Sequence, residues 1–306
     1  MNGDFIKYRA WFTIADVNIC IVTPTPLYVE PAFSEFKSTP VQDAVICEFE
    51  CVEELPKKSE NQKLVYQDEM HQIFSDSYGV CQYFAIPYAG LPPVSMREPD
   101  AYQRLDINEE GNIKIVYRQQ AAHYFATAFG CFNAVKIERL LIRGSRLILH
   151  SSFISCEGAG IVFSGRSGIG KSTQADLWIK HQGARIINGD RTAFGLKEDK
   201  ILGYGLPVAG SSNIFLNEAY PLRAVILLGQ AKENKIRRAK PKDAIAFLMS
   251  QITVNSWSKA FMNKAFGIFE LLLENVNIYR LDATPDVNAV ECTLNRLKED
   301  GCLINN

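Results

Sequence analysis

The clearest chemistry in this sequence lies in Ala159–Thr173, AGIVFSGRSGIGKST. Gly165, Gly170, Lys171 and Ser172 fill every fixed position of G-x-x-x-x-G-K-[ST], with Arg166, Ser167, Gly168 and Ile169 between them. Glycines let the backbone turn tightly, so successive N–H groups face the same phosphate oxygens. A helix starting at Lys171 adds partial positive charge at that point. Lys171 can then reach the β- and γ-phosphates, and the Ser172 hydroxyl can ligate Mg²⁺, with Thr173 closing the cradle. A glycine-rich turn can match such a pattern by chance. Here the apolar run Ile161–Phe163 supplies the preceding strand and Lys171–His181 the following helix, with Gly183 as its C-cap. The spacing therefore predicts a bound nucleoside triphosphate.

One further residue is placed to act with the loop. Ala184–Ile187 reads as a strand, and Asp190 follows it in Asn188-Gly189-Asp190-Arg191. An acidic residue at the carboxyl end of a strand near a phosphate loop is where a second Mg²⁺ contact belongs. The same tetrapeptide is also a strong turn sequence in its own right. Upstream, His150 sits in the apolar stretch Leu147–Ile154. Taken by itself, one histidine on an apolar strand reads as a satisfied packed residue.

Length and composition frame these residues. The chain has 306 residues, 47% hydrophobic and 22% charged, with a net charge of −1. That suits one large or two ordinary globular domains, with no general attraction to nucleic acid or anionic membrane. No apolar run approaches the roughly 20 residues that cross a bilayer. The N-terminal MNGDFIKYRAWF lacks the apolar core of a signal peptide, so a cytoplasmic location is expected. Eight cysteines form no C-x-x-C pair and read as reduced, mostly buried hydrophobes.

Residues 1–120 predict a mostly antiparallel β domain or layer. Tyr8–Ile14 and Val17–Val22 pair across Ala15-Asp16; Ala44–Val52, Leu64–Tyr66, Gln82–Ala85 and Tyr102–Ile107 are further strands. Asn108–Asn112 reads as a hairpin loop before Ile113–Tyr117. The character changes near Ala121, where Phe125, Phe129 and Phe132 predict one helix from Ala122 to Ile142 with a phenylalanine packing stripe. Residues 121–306 then predict an α/β domain. Its elements include a hairpin across Lys197–Lys200, a buried strand Val225–Leu228, and helices Ala244–Gln251 and Ala260–Glu274. A last helix is expected behind Thr284 as N-cap and Pro285 as N1. Lys232, Lys235, Arg237, Arg238, Lys240 and Lys242 form a basic cluster, read either as a solvated edge or as a dock for an acidic or phosphorylated partner.

His150, SGRSGIGKS, the helix and INGDRTAF form an ordered set in which the chain resembles the catalytic domain of HPr kinase/phosphorylase. It is similar in the same residues to the ATP-binding part of phosphoenolpyruvate carboxykinases. The resemblance covers about residues 145–290, and LPVAGSSNIF and PLRAVILLGQAKENKI resemble kinase-like relatives found beside peptide-modifying enzymes. It implies an α/β, overall α+β, P-loop kinase domain that binds ATP and Mg²⁺ and transfers the γ-phosphoryl group to a serine hydroxyl. Lys171 matches the phosphate-binding lysine, Ser172 the metal-binding hydroxyl, and His150 a histidine near the transferred phosphate, which the resemblance implies could orient the acceptor or balance charge. Such kinases carry two adjacent aspartates where this chain has Gly189-Asp190, so Asp190 must combine two roles or share them with another group. Glu157 and Glu218 are the acidic candidates for a further metal-linked glutamate, and Arg166 and Arg191 for charge stabilisation. The expected acceptor is a serine of a peptide or small protein, with a small-molecule kinase, of free serine or of the carboxykinase type, as the alternative. A nucleotide-binding or peptide-docking module without transfer is the competing class. The resemblance also leaves a homo-oligomer open.

Overall fold

The structure is a computed structural model that describes residues 7–87, 92–106, 111–208 and 210–304. The chain divides into two compact units, Met1–Arg143 with Asn255–Met262, and Gly144–Val254 with Asn263–Asn306. The sequence draws its boundary at 120/121.

The first unit carries β1 (Tyr8–Ile14), β2 (Val17–Thr23), β3 (Val45–Val52), β4 (Lys63–Gln67), β5 (His71–Asp76), β6 (Gly79–Phe84), β7 (Ala101–Asp106) and β8 (Ile113–Arg118). They form one sheet in the order β1-β2-β3-β8-β7-β6-β5-β4, parallel at β2–β3 and β3–β8 and antiparallel elsewhere. Ala15 and Asp16 take positive φ, which closes the tight β1–β2 hairpin with Ile14 opposite Val17. β7 and β8 pair as the hairpin signature predicts, although Asn108–Glu110 of that signature lies outside the described residues. β5 is not legible in the sequence, because HQIFSD buries only Ile73 and shows no clean alternation.

The single helix expected over 122–142 is broken into pieces. α1 (Pro31–Ser34) is a short turn earlier in the chain; α2 (Ala122–Phe125), α3 (Ala128–Val135) and α4 (Ile137–Leu141) replace the long helix. Thr127 is extended, and its hydroxyl accepts from the Gly130 N–H, so it caps α3 and ends α2. Lys136 sits at φ +67 and separates α3 from α4. The break shifts the helical register. Phe125 and Phe132 are buried but Phe129 is 51% exposed, so the three do not form one packing stripe.

From residue 144 the chain runs through β9 (Leu147–Cys156), β10 (Ala159–Ser164), α5 (Lys171–Gln182), β11 (Arg185–Asn188), β12 (Arg191–Lys197), β13 (Lys200–Tyr204), β14 (Ala219–Gln230), β15 (Lys235–Arg238), α6 (Pro241–Met249), β16 (Ile252–Thr253), α7 (Lys259–Asn275), β17 (Asn277–Ala283) and α8 (Val287–Glu299). β10 pairs antiparallel with β9 and parallel with β14, which is itself parallel to β17. β9 is long enough to pair with β12 through Leu147–His150 and with β10 through Ser151–Cys156. Ile161, Phe163, Trp178, Ile226, Tyr279 and Leu281 share one apolar core beneath these strands. Burying each such side chain contributes about 1.5–3 kcal/mol, which holds the strand carrying the loop against α5. The final helix is capped by Asp286, which accepts from the Asn288 and Ala289 N–H groups, and not by Thr284 as the sequence suggests. Thr284 instead donates to the Asp286 carboxylate. The architecture is thus mixed α/β, with two large mixed sheets. Among the described residues, no helix is long and apolar enough to cross a membrane.

Candidate functional site

The loop joins the carboxyl end of β10 to α5. Gly168 and Gly170 hold φ of +77 and +113, conformations that L side chains rarely adopt. A Cβ on Gly165 would lie 2.8 Å from the Ile169 Cγ2, so Ile169 would have to shift to admit one. Gly170 occupies the N-cap position of α5 and no side chain caps that end. The first N–H groups of the helix have no partner within it, so they are free to meet anion oxygens.

Lys171 lies across this loop. Its side chain is buried, and Nζ donates to the Gly165 carbonyl at 3.0 Å and the Arg166 carbonyl at 3.3 Å. Burial pulls its pKa below the ordinary lysine value, with the Asp190 carboxylate pushing the other way. The two carbonyls hold the ammonium against the loop. Arg166, Ser167, Gly168, Ser172 and Thr173 are exposed around it, and Ile169 and Gly170 are half-buried.

The strand order brings the other two candidates to one flank of the loop. His150 ends the part of β9 that pairs with β12, directly opposite Arg191. Its Nε2 stands 3.5 Å from Asp190 Oδ1, and Arg191 Nε stands 3.3 Å from Asp190 Oδ2. The Ser164 hydroxyl, last in β10, donates to the His150 carbonyl at 2.9 Å. Asp190 is held by its backbone: its N–H donates to the Asn188 side-chain oxygen, and its carbonyl accepts from the Ser151 N–H. The turn sequence and the candidate metal position are thus the same feature, a turn whose aspartate faces the histidine.

Burial, followed by the nearby Lys171 charge, lowers the His150 pKa, while Asp190 raises it. His150 is accordingly neutral at pH 7. Its titration midpoint by NMR is expected below 6.5, rising in Lys171→Ala and falling further in Asp190→Asn. A midpoint above 6.5 in the native protein would contradict this environment. Because the folded chain holds fewer protons here than the unfolded one, the stability this residue contributes is full above pH 6.5. It is lost as the pH falls through the lowered folded value.

Asn188 and Ser212 are site residues that sequence reasoning missed. Asn188 is fully buried and ties the loop after β13 to this corner, donating to the Leu206 and Val208 carbonyls at 2.9 Å each. A Cβ placed on Gly189 would lie 2.4 Å from both Cβ and Oγ of Ser212. A Cβ on Gly210 would lie 2.8 Å from the Asp190 Cγ. The turn Gly210–Ser212 therefore fills the space a side chain at position 189 would need. Only the polar, invariably hydrogen-bonding character of a buried asparagine could have flagged Asn188; nothing local flags Ser212.

The remaining candidates fall elsewhere. Glu157 turns between β9 and β10 at the end opposite the loop, and Glu218 pairs with Arg185 at 2.7 Å. Arg166 is exposed on the loop, and Arg191 stands beside Asp190. Within the basic cluster, Arg238 pairs with Asp300 at 3.1 Å. All eight cysteines are unbonded, and six of them are buried. Among the described residues no group of three or more His, Cys, Asp or Glu side chains could hold a metal ion. A hydroxyl and one carboxylate, as in Ser172 and Asp190, do suit Mg²⁺, which takes few protein ligands and several phosphate oxygens.

No family model matches this chain, and no curated protein does. Among solved structures it is similar to the HPr(Ser) kinase/phosphatase from Coxiella burnetii, at 12% identity and a TM-score of 0.31, over 50% of this chain and 93% of that one.

Proposed function

We propose that this protein is an ATP- and Mg²⁺-dependent phosphotransferase acting on a hydroxyl, most simply a serine of a peptide or small protein. The observation that carries it is the buried Lys171 side chain held across the loop, with His150 and Asp190 paired at 3.5 Å on the adjoining flank. Loop N–H groups and Lys171 hold the β- and γ-phosphates. Ser172 and Asp190 would hold Mg²⁺, which screens the charge of the phosphates when bound. The acceptor oxygen attacks the γ-phosphorus, the bond to the β–γ bridging oxygen breaks, and ADP leaves. The acceptor proton passes to Asp190, whose position His150 and Arg191 fix from either side. Positioning and charge stabilisation supply most of the rate.

The test is transfer of label from γ-labelled ATP to serine peptides and to free serine. Native protein labels an acceptor; Asp190→Asn loses transfer by roughly 100-fold or more, the usual size of an acid–base contribution. Equal labelling by both sinks the assignment. One observation favours a second reading, nucleotide binding without transfer: Ser212 fills the room beside Asp190 where a second carboxylate would stand. ATP binding with no labelled acceptor in that same experiment selects it.

A further inference from the structure

The loop has a second flank, and it carries a cavity. β10 lies between β9, which brings His150, and β14, whose parallel neighbour is β17. Beyond the carboxyl ends of β14 and β17 opens a space of about 360 Å³. Its walls come from Gly168–Gly170, Thr173 and Gln174 on one side, and from Leu228–Ala231 and Ala283–Pro285 on the other. Crevices outside the carboxyl ends of parallel strands are where such sheets take ligands, and a volume of this order suits a small molecule.

We infer that this cavity receives the nucleoside of the bound triphosphate, its base and ribose. The inference rests on the reading of the loop as a phosphate cradle. Lys171, Ser172 and Asp190 fix the γ end of the phosphate chain toward β9, so the nucleoside end leaves toward β14. None of the described residues that line the cavity is charged, and Leu228, Ala231, Ala283 and Pro285 give it an apolar surface suited to an uncharged ring system. The small side chains of Ala231 and Ala283 leave the room that a ring requires.

Titration calorimetry on the full chain tests this, using MgATP and magnesium tripolyphosphate, which has the phosphates and no nucleoside. MgATP is expected to bind at least about tenfold more tightly than tripolyphosphate. Ala231 is exposed, so Ala231→Trp fills the cavity with little risk to folding. It should bring ATP affinity down to that of tripolyphosphate and leave tripolyphosphate binding unchanged. Equal affinities in the native protein, or equal weakening of both ligands in the variant, overturn the nucleoside assignment while the phosphate cradle stands. If neither ligand binds the native chain, the cradle falls, and this inference with it.

Discussion

Lys171→Ala is expected to weaken ATP binding by roughly 10- to 100-fold, and phosphoryl transfer by at least as much. A hydrogen bond from a charged group contributes about 1.5–3 kcal/mol, and each 1.4 kcal/mol is tenfold in affinity. The buried position of this lysine puts the effect toward the upper end, because its ammonium is held by two loop carbonyls and does not spend rotamer freedom on binding. Lys171→Arg should not restore the loss, since the longer planar fork cannot bridge the same two carbonyls in the same buried space. Calorimetry with MgATP measures the effect directly. A thermal melt separates it from unfolding, because the loop carbonyls released in Lys171→Ala lie beside exposed residues and can be met by water. Unchanged ATP affinity in Lys171→Ala would remove the phosphate cradle from consideration.

Gly189→Ala is expected to destabilise the protein by about 1–3 kcal/mol, the ordinary cost of forcing a methyl group into filled space. Both heavy atoms of the Ser212 side chain stand 2.4 Å from where the new Cβ must go, far inside contact distance. Ser212→Gly removes both atoms, so the double variant Gly189→Ala with Ser212→Gly should recover most of the loss. The coupling energy between the two positions should then approach the single-variant cost, as adjacent residues in one space allow. Denaturant unfolding of the four proteins of this cycle checks it. Additive effects would mean that Ser212 does not occupy that space. The consequence for chemistry is direct. Gly189→Asp cannot add a second carboxylate beside Asp190 while Ser212 is in place, so it should not raise transfer activity. Paired with Ser212→Gly it acquires the room to do so.

The glycine loop between β10 and α5 was legible because its requirements are local. A strand, glycines at fixed intervals, a lysine and a helix start are all written in consecutive residues, and Gly168 and Gly170 take the positive φ that their type permits. Capping and hairpin turns were legible for the same reason at Ala15-Asp16 and Gly183. The helix predicted over 122–142 is interrupted because apolar spacing alone does not encode where a helix stops. Thr127, a good N-cap, and Lys136 at positive φ divide a run whose apolar spacing alone looked continuous. Thr284 lost the final cap to Asp286, two residues on, where a carboxylate can accept from two N–H groups at once. β5 was missed because its burial comes from its sheet neighbours and not from its own alternation.

What the sequence by itself determined is the chemistry of the loop after β10: which residues can turn, donate and carry charge within a span of consecutive positions. What only the tertiary structure decided is what faces that loop. His150 and Asp190 meet at 3.5 Å because β9 pairs with both β10 and β12, and the opposite flank opens as a cavity because β14 and β17 run parallel to β10. Ser212 comes to rest against Gly189 through a loop that Asn188 holds from inside. Strand order and loop seating arise from contacts between residues far apart in the chain, set by shared burial, and no local pattern of residue types encodes them.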